Sequence, residues 1–129
     1  MSVAKSIYKL LSDDAAVAAI VGTKINPLRV PQTRDFPAIA YSQITNIPNN
    51  QKDGVSGFDK VDYDIDLMSK DKAQLEDLGT KVRTALDRKS ISSQGSTIDT
   101  IVFIREFDGF SDNAMIYQKT MQFRFIVLR

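Results

Sequence analysis

The sequence predicts an α+β fold, with a mainly antiparallel sheet of four to five strands and helices packed on one face. Three observations lead to this prediction. Apolar residues recur at helical spacing near the N-terminus and again after Ser69. Apolar and polar residues alternate in the middle of the chain and at its end, as in half-buried strands. The strands follow one another in two consecutive pairs, and each pair can form an antiparallel hairpin.

Three helices are predicted. The first contains Val3, Ile7 and Leu11 on one face, and Ser2 can cap it. A second short helix begins at Asp13 or Asp14 and ends at Gly22. The third begins at Ser69 or Asp71, runs to about Asp87 and has a buried apolar stripe. The stripe consists of Leu75, Leu78, Val82, Ala85 and Leu86.

Four strands are predicted over residues 38–47, 58–68, 98–107 and 115–128. The polar, glycine-containing segment 48–57 is predicted to be a loop, and 108–113 a turn. The proline-rich segment 26–36 and the serine-rich segment 89–96 are also predicted to be loops, although Ile25 could begin a short strand.

Composition excludes several function classes. The 129 residues have the size of one ordinary domain, and we expect a single domain over residues 1–129. A net charge of +1, from 17 basic and 16 acidic side chains, gives no global field for holding DNA or a membrane. The absence of Cys and His removes thiolate and imidazole metal ligands and the commonest general base. We therefore predict no catalytic residues, no metal site, no cofactor and no membrane association.

The most prominent chemical pattern is a row of carboxylates, Asp62, Asp64 and Asp66, on the polar face of the second strand. A solvated or ion-paired face, a partner interface and a metal site are the three interpretations. Same-face residues on a strand stand about 6.5–7 Å apart, so their carboxylates point in parallel and do not converge on a metal ion. The row therefore favours the first two interpretations.

The remaining patterns have simple explanations. Gly54, Ser56 and Gly57 form neither a phosphate-binding motif nor a hydrolase elbow. The basic residues of the third helix alternate with acidic ones, which is typical of paired charges on a solvated helix face. Four aromatic residues surround the last hairpin, and most of them are predicted to lie in the core. They are Phe103, Phe107, Phe110 and Tyr117, of which Phe110 falls in the predicted turn and could belong to an interface.

Several segments, in this order along the chain, resemble the tail-terminator (tail-completion) proteins of long-tailed bacteriophages. They are residues 8–13 (YKLLSD), Val17, 20–22 (IVG), 24–27 (KINP), 37–41 (PAIAY), 63–67 (YDIDL), 82–87 (VRTALD), 107–108 (FD), Tyr117 and Phe123. Asn26 departs from the pattern, because an aromatic residue is expected before the proline.

The resemblance implies a structural role without catalysis. Such proteins form a ring, usually a hexamer, on the end of a finished tail tube, stop tube polymerisation and offer a docking surface to the head connector. The implied partners are other copies of the chain, the tail tube protein and the connector or neck proteins. DNA would pass through the lumen without specific binding. The implied location is the tail or neck of the virion, and the host cytoplasm during assembly.

Exposure and loop length give the expected interface residues. They are Asn49, Asn50, Gln51, Lys52, Asp53, Asp62, Asp64, Asp66, Phe110, Ser111 and Asp112. Two other functions stay open at this point. Another neck protein, such as a head-completion or connector component, would bind the portal rather than the tail tube. A small ligand-binding α+β module would have a concave pocket with convergent polar groups.

Overall fold

The computed structural model describes residues 3–22, 24–27, 36–51, 54–93, 96–111 and 116–128. The helices are α1 (Val3–Asp13), α2 (Ala15–Val21) and α3 (Lys72–Leu86). The strands are β1 (Ile25–Pro27), β2 (Ala38–Gln51), β3 (Gly54–Ser69), β4 (Ile91–Ser93), β5 (Ser96–Ser111) and β6 (Ile116–Leu128). They form one curled sheet in the order β1-β2-β3-β6-β5-β4, in which β1 is parallel to β2 and the other described neighbours are antiparallel.

The predicted α+β class and the mainly antiparallel sheet are confirmed, but the prediction of four to five strands is wrong. The sheet has six strands. The two additional strands, β1 and β4, have three residues each and are too short to show an alternation pattern. The strand β4 lies in a segment predicted to be a loop, whereas β1 begins at Ile25, where a short strand was expected to be possible, and continues into the predicted loop. Asn26, at the start of one predicted loop, is buried in β1, where its amide donates to the Ile39 carbonyl (3.4 Å). Residues 28–35 lie outside the described part of the chain.

The helix predictions are confirmed, and the structure decides between the alternative caps. The Asp14 carboxylate accepts from the N–H groups of Ala16 and Val17 and so caps α2, which ends at Gly22 with φ 61°. The Asp71 carboxylate accepts from the Ala73 N–H and caps α3. Ser2, the predicted cap of α1, lies outside the described residues.

Both hairpins are longer than predicted. The segment predicted as a loop over 48–57 continues the ladder, with Asn50 paired to Val55 and Gln51 to Gly54. The segment predicted as a turn over 108–113 continues β5 to Ser111, which pairs with Ile116. The polar composition misled the prediction, because ladder hydrogen bonds are made by the backbone and do not require apolar side chains.

The helices cover one face of the sheet and form the core with it. The largest fully buried side chains include Ile65, Leu67, Leu75, Leu78, Phe123 and Phe125. The opposite face is called the outer face here, and residues 62, 64 and 66 of β3 and 120, 122 and 124 of β6 lie on it. None of the described helices is long and apolar enough to cross a membrane.

Candidate assembly surface

The carboxylate row on the outer face is held by polar partners on β6. Asp62 receives two hydrogen bonds from the Arg124 guanidinium, at 2.8 and 3.1 Å, and Asp66 accepts from the Thr120 hydroxyl at 2.7 Å. Asp62 lies opposite Arg124 and Asp66 opposite Thr120 in the β3–β6 register. These two carboxylates therefore stabilise the sheet from within the chain, as the ion-paired interpretation predicts.

Asp64, in the middle of the row, has a different environment. Partial burial and then the neighbouring Asp66 raise its pKa above the ordinary value, against the opposing influence of Arg105. Arg105 itself donates to the Gln122 side chain (2.7 Å), which lies opposite Asp64. The folded protein therefore disfavours the ionised form of Asp64.

We expect Asp64→Asn to stabilise the protein slightly at neutral pH, by at most about 0.5 kcal/mol, because the side chain is only partly buried and solvent screens its charge. A raised pKa means that the folded state binds the proton more tightly than the unfolded state. The ionised group therefore costs stability above its ordinary pKa of 3.8, and this cost disappears as the pH falls through the folded pKa. Urea unfolding at pH 7 and pH 3 measures the difference. Asp62→Asn is the control, because it weakens the ion pair with Arg124 and should lower the free energy of unfolding. A lower free energy of unfolding for Asp64→Asn at pH 7 would contradict the prediction.

The other predicted interface residues lie at the ends of the two long hairpins. Asn49, Asn50 and Gln51 are the last three residues of β2, and β3 begins at Gly54. Phe110 is about half exposed and its ring lies against Tyr117, with 5.0 Å between the ring centroids; Ser111 is the last residue of β5. Lys52, Asp53 and Asp112 lie outside the described residues.

Two further exposed apolar side chains of β5 were missed. Phe107, one of the four aromatic residues of which most were expected in the core, is 54% exposed on the outer face, and Ile104 is 40% exposed at a β-bulge. The bulge between Phe103 and Arg105 inserts one residue, so that the alternation of faces shifts along the rest of β5. The sequence alone shows no signal for this insertion.

Lys119 forms an ion-pair network that sequence reasoning also missed. Its side chain is 7% exposed and its ammonium group lies 2.9 Å from Glu106, 3.0 Å from Asp108 and 3.4 Å from Glu76. Burial disfavours the charged lysine, but the hydrogen bonds to Glu106 and Asp108 outweigh burial and raise its pKa. The network ties α3 to β5 and β6. One signal was available, since Lys119 interrupts the apolar row of β6 between Tyr117 and Met121.

Gly79 explains how α3 can lie over this lysine. A Cβ atom at Gly79 would stand 3.0 Å from the Lys119 Cδ atom, which is tighter than ordinary packing. The glycine therefore serves close packing between α3 and β6. The i,i+4 pairs predicted on the exposed face of α3 are also present, including Lys72–Glu76 (3.0 Å) and Lys81–Asp77 (3.9 Å).

A polar groove of about 450 Å³ lies between α3 and β5. Its charged groups largely bind one another: Lys119 pairs with Glu76 and Glu106, and the Arg83 guanidinium lies 4.2 Å from the centre of the Phe103 ring. Within the described ranges no group of three or more acidic side chains is placed to hold a metal ion. The groove has the chemistry of an internal ion-pair network rather than of a ligand pocket with convergent free groups.

Comparison with known proteins gives the family. A family model described as tail completion protein gp17 matches residues 5–128. No curated protein matches the chain in sequence. A chain from the solved structure of the virion of a native gene transfer agent (GTA) particle is 20% identical and has a TM-score of 0.75, covering 95% of this chain and 92% of that chain, which shows a shared fold. Because the family model spans nearly the whole sequence, the chain belongs to the tail completion protein gp17 family, and it is a structural protein of the tail or neck of a phage-type virion.

Proposed function

We propose that this protein is the tail terminator: a ring, most simply a homohexamer, that caps the tail tube, ends tube polymerisation and provides the docking surface for the head connector. The match of the tail completion family over residues 5–128 carries this proposal. The likeness in fold to a chain of a gene transfer agent virion supports it, because that chain too belongs to a virion particle.

The shape of the sheet supports a role between two partners. The β2–β3 hairpin extends four residues beyond the last β3–β6 pair, Phe58 with Leu128, which is roughly 13 Å of two-stranded ribbon. The β5–β6 hairpin turns at the opposite end, where Ser69 of β3 lies beside Tyr117 of β6. The two hairpin ends therefore lie at opposite ends of the sheet. We propose that one end contacts the tail tube and the other the connector.

The charge distribution of the outer face supports a place for this face in the lumen of the ring, where DNA would pass. On the described part of this face the three carboxylates outnumber the one cation paired with them, since Arg124 binds Asp62 while Asp66 is bonded by the neutral Thr120 hydroxyl, and the Arg105 side chain is bonded to Gln122. Such a surface does not attract phosphates strongly. We propose that DNA crosses the ring without specific binding.

The test is native mass spectrometry of the purified protein, with and without tail tubes, combined with electron microscopy of the tube ends. We expect a closed ring of about six copies in solution or on tube ends, and tubes of fixed length in its presence. The alternative role as another neck protein predicts capture by the portal and not by the tube, so parallel pull-downs separate the two. A monomer that ignores both tube and portal would overturn the structural role.

A further inference from the structure

The sheet has two edges that are only partly covered. The short strand β4 pairs with Ser96–Ile98 of β5, and β1 pairs with Ile39–Tyr41 of β2. Beyond these contacts, no strand in the described ranges pairs with residues 99–111 of β5 or 42–51 of β2 on their outer sides. Each edge thus offers a row of backbone groups to another chain.

The first part of the β5 edge is satisfied within the protein. The Ile101 carbonyl accepts from the Arg88 N–H (2.7 Å), and the Phe103 N–H donates to the Asp87 carboxylate (3.2 Å). The backbone groups of Ile101 and Phe103 therefore point away from β6. The open part of the edge begins after them, at the bulge.

The alternation of an antiparallel ladder identifies the outward groups of the open part. Ile101 and Phe103 lie opposite Phe125 and Phe123 of β6. Every second residue of β6 from Phe123 towards the turn, namely 121, 119 and 117, has the same backbone orientation. The β5 residues opposite these three positions therefore also direct their N–H and C=O groups outward, and they are Glu106, Asp108 and Phe110.

Three apolar side chains are exposed along this part of the edge. Ile104, Phe107 and Phe110 are each 40–54% exposed. The charged side chains between them are held over the sheet, since Lys119 binds the carboxylates of Glu106 and Asp108. Residues 104–111 of β5 contain neither Pro nor Lys, which proteins often use to block an exposed edge, and on the open edge of β2 the first such residue is Pro48.

We propose that the open edge of β5, residues 104–111, is a strand-addition site that receives the part of the open β2 edge before Pro48, residues 42–47, from a second copy of this chain. The inference rests on the proposed ring and names the joint between its subunits. Backbone hydrogen bonds would supply the contact, and the exposed apolar side chains of β5 would meet Ile44, which is 45% exposed on β2.

Strand direction fits this joint. Since β2, β3, β6 and β5 alternate in direction, β2 and β5 run opposite to each other, and β2 of a second copy continues the antiparallel order. The two edges lie on opposite sides of the sheet, so the contact is head to tail and can close into a ring.

The short strands β1 and β4 limit how two adjacent copies of the chain can align along their strands. Ile39–Tyr41, covered by β1, lies level with residues 106–108 of β5 across the sheet. The next copy must therefore shift along the strands by about six residues, roughly 20 Å. A stagger of this kind tilts the strands against the ring axis, as in closed barrels.

Charge favours β2 over a second β5 as the occupant. A two-fold pairing of β5 with itself, centred on residues 106 to 108, would place Glu106 or Asp108 directly opposite another acid, which is unfavourable. The β2 edge has no charged residue from Ser42 to Ile47. An uncharged edge can lie beside the acidic residues of β5 without repulsion.

Glu106→Pro and Glu106→Ala form a matched pair for the first test. Both variants remove the contact with Lys119, but only proline removes the outward N–H, and this N–H is not used in the ladder with β6. With equal melting temperatures, we expect the alanine variant to assemble like the wild type on tube ends and the proline variant to assemble at least tenfold more weakly. Equal assembly of the two variants would overturn the joint while leaving the ring function intact.

Cross-linking gives a second test that does not depend on the proline variant. The chain has no Cys, so a short bifunctional thiol reagent can join only the introduced residues of Ile44→Cys and Phe107→Cys. Two strands separate these positions within one chain. We expect a ladder of covalent oligomers from the double variant and monomer from each single variant. A covalent dimer from Phe107→Cys alone, or no ladder from the double variant in assembled rings, would overturn the proposal. Absence of any wild-type ring on tubes would overturn the proposed function itself.

Discussion

Replacing Phe123 by alanine is expected to lower the free energy of unfolding by about 4 kcal/mol. Phe123 is fully buried on β6, at the centre of the sheet, and its ring packs against Phe103 with 5.4 Å between centroids. The truncation loses the burial of an aromatic side chain and leaves a cavity between sheet and helices that the surrounding strands cannot fill. Urea unfolding followed by circular dichroism measures the change.

Phe107→Ala is the matched control, because it makes the same chemical change on the opposite face. The Phe107 side chain is 54% exposed, so we expect a loss below about 0.5 kcal/mol. Similar losses for the two variants would mean that the outer face of β5 is buried in the state measured. A loss below about 1 kcal/mol for Phe123→Ala would contradict its place in the core.

Lys119→Met is expected to destabilise the protein by about 2 kcal/mol at pH 7. Methionine keeps an unbranched side chain beneath Gly79 but removes the charge shared by Glu76, Glu106 and Asp108. The three carboxylates would then lie close together with Lys72 as their remaining partner in the network, through Glu76 and Asp108. Because these carboxylates are partly solvated, the loss is smaller than for a fully buried ion pair.

The pH dependence separates the charge effect from packing. The hydrogen bonds from Lys119 and then Lys72 lower the pKa of Asp108, and a hydrogen bond from Lys72, with the charge of Lys119, lowers the pKa of Glu76. A lowered pKa contributes stability above the ordinary values of 3.8 and 4.5, and this stability is lost as the pH falls. The difference between wild type and Lys119→Met should therefore narrow from pH 7 to pH 3.

Lys72→Met is the control for the network. Lys72 binds the same Glu76 and Asp108 from the solvated surface of α3, with its side chain 45% exposed, so its removal should have a much smaller effect than that of Lys119. A loss for Lys119→Met that is the same at pH 3 and pH 7 would assign its effect to packing alone.

The candidate site was only partly predictable. The strict alternation of side chains predicted which residues lie on the outer face of β3. A polar partner for Asp62 could be expected, but the sequence did not identify it as Arg124, which is 62 residues away. Phe110 was correctly placed at an exposed position. The open edges of β2 and β5 could not be predicted, because they depend on which strands become neighbours and on bulges that local sequence does not mark.

The sequence by itself determined the three helices, the candidate caps of α2 and α3, the four long strands and the family resemblance, whereas the structure decided for Asp14 and Asp71 among those caps. These features depend on interactions within a few residues, or on periodic burial that is visible in the order of side chains. Only the tertiary structure decided the two short strands, the length of the hairpins, the network of Lys119 and the exposure of Phe107. Each of these depends on backbone pairing or charge contacts between residues far apart in the chain, for which no local pattern of side chains is required.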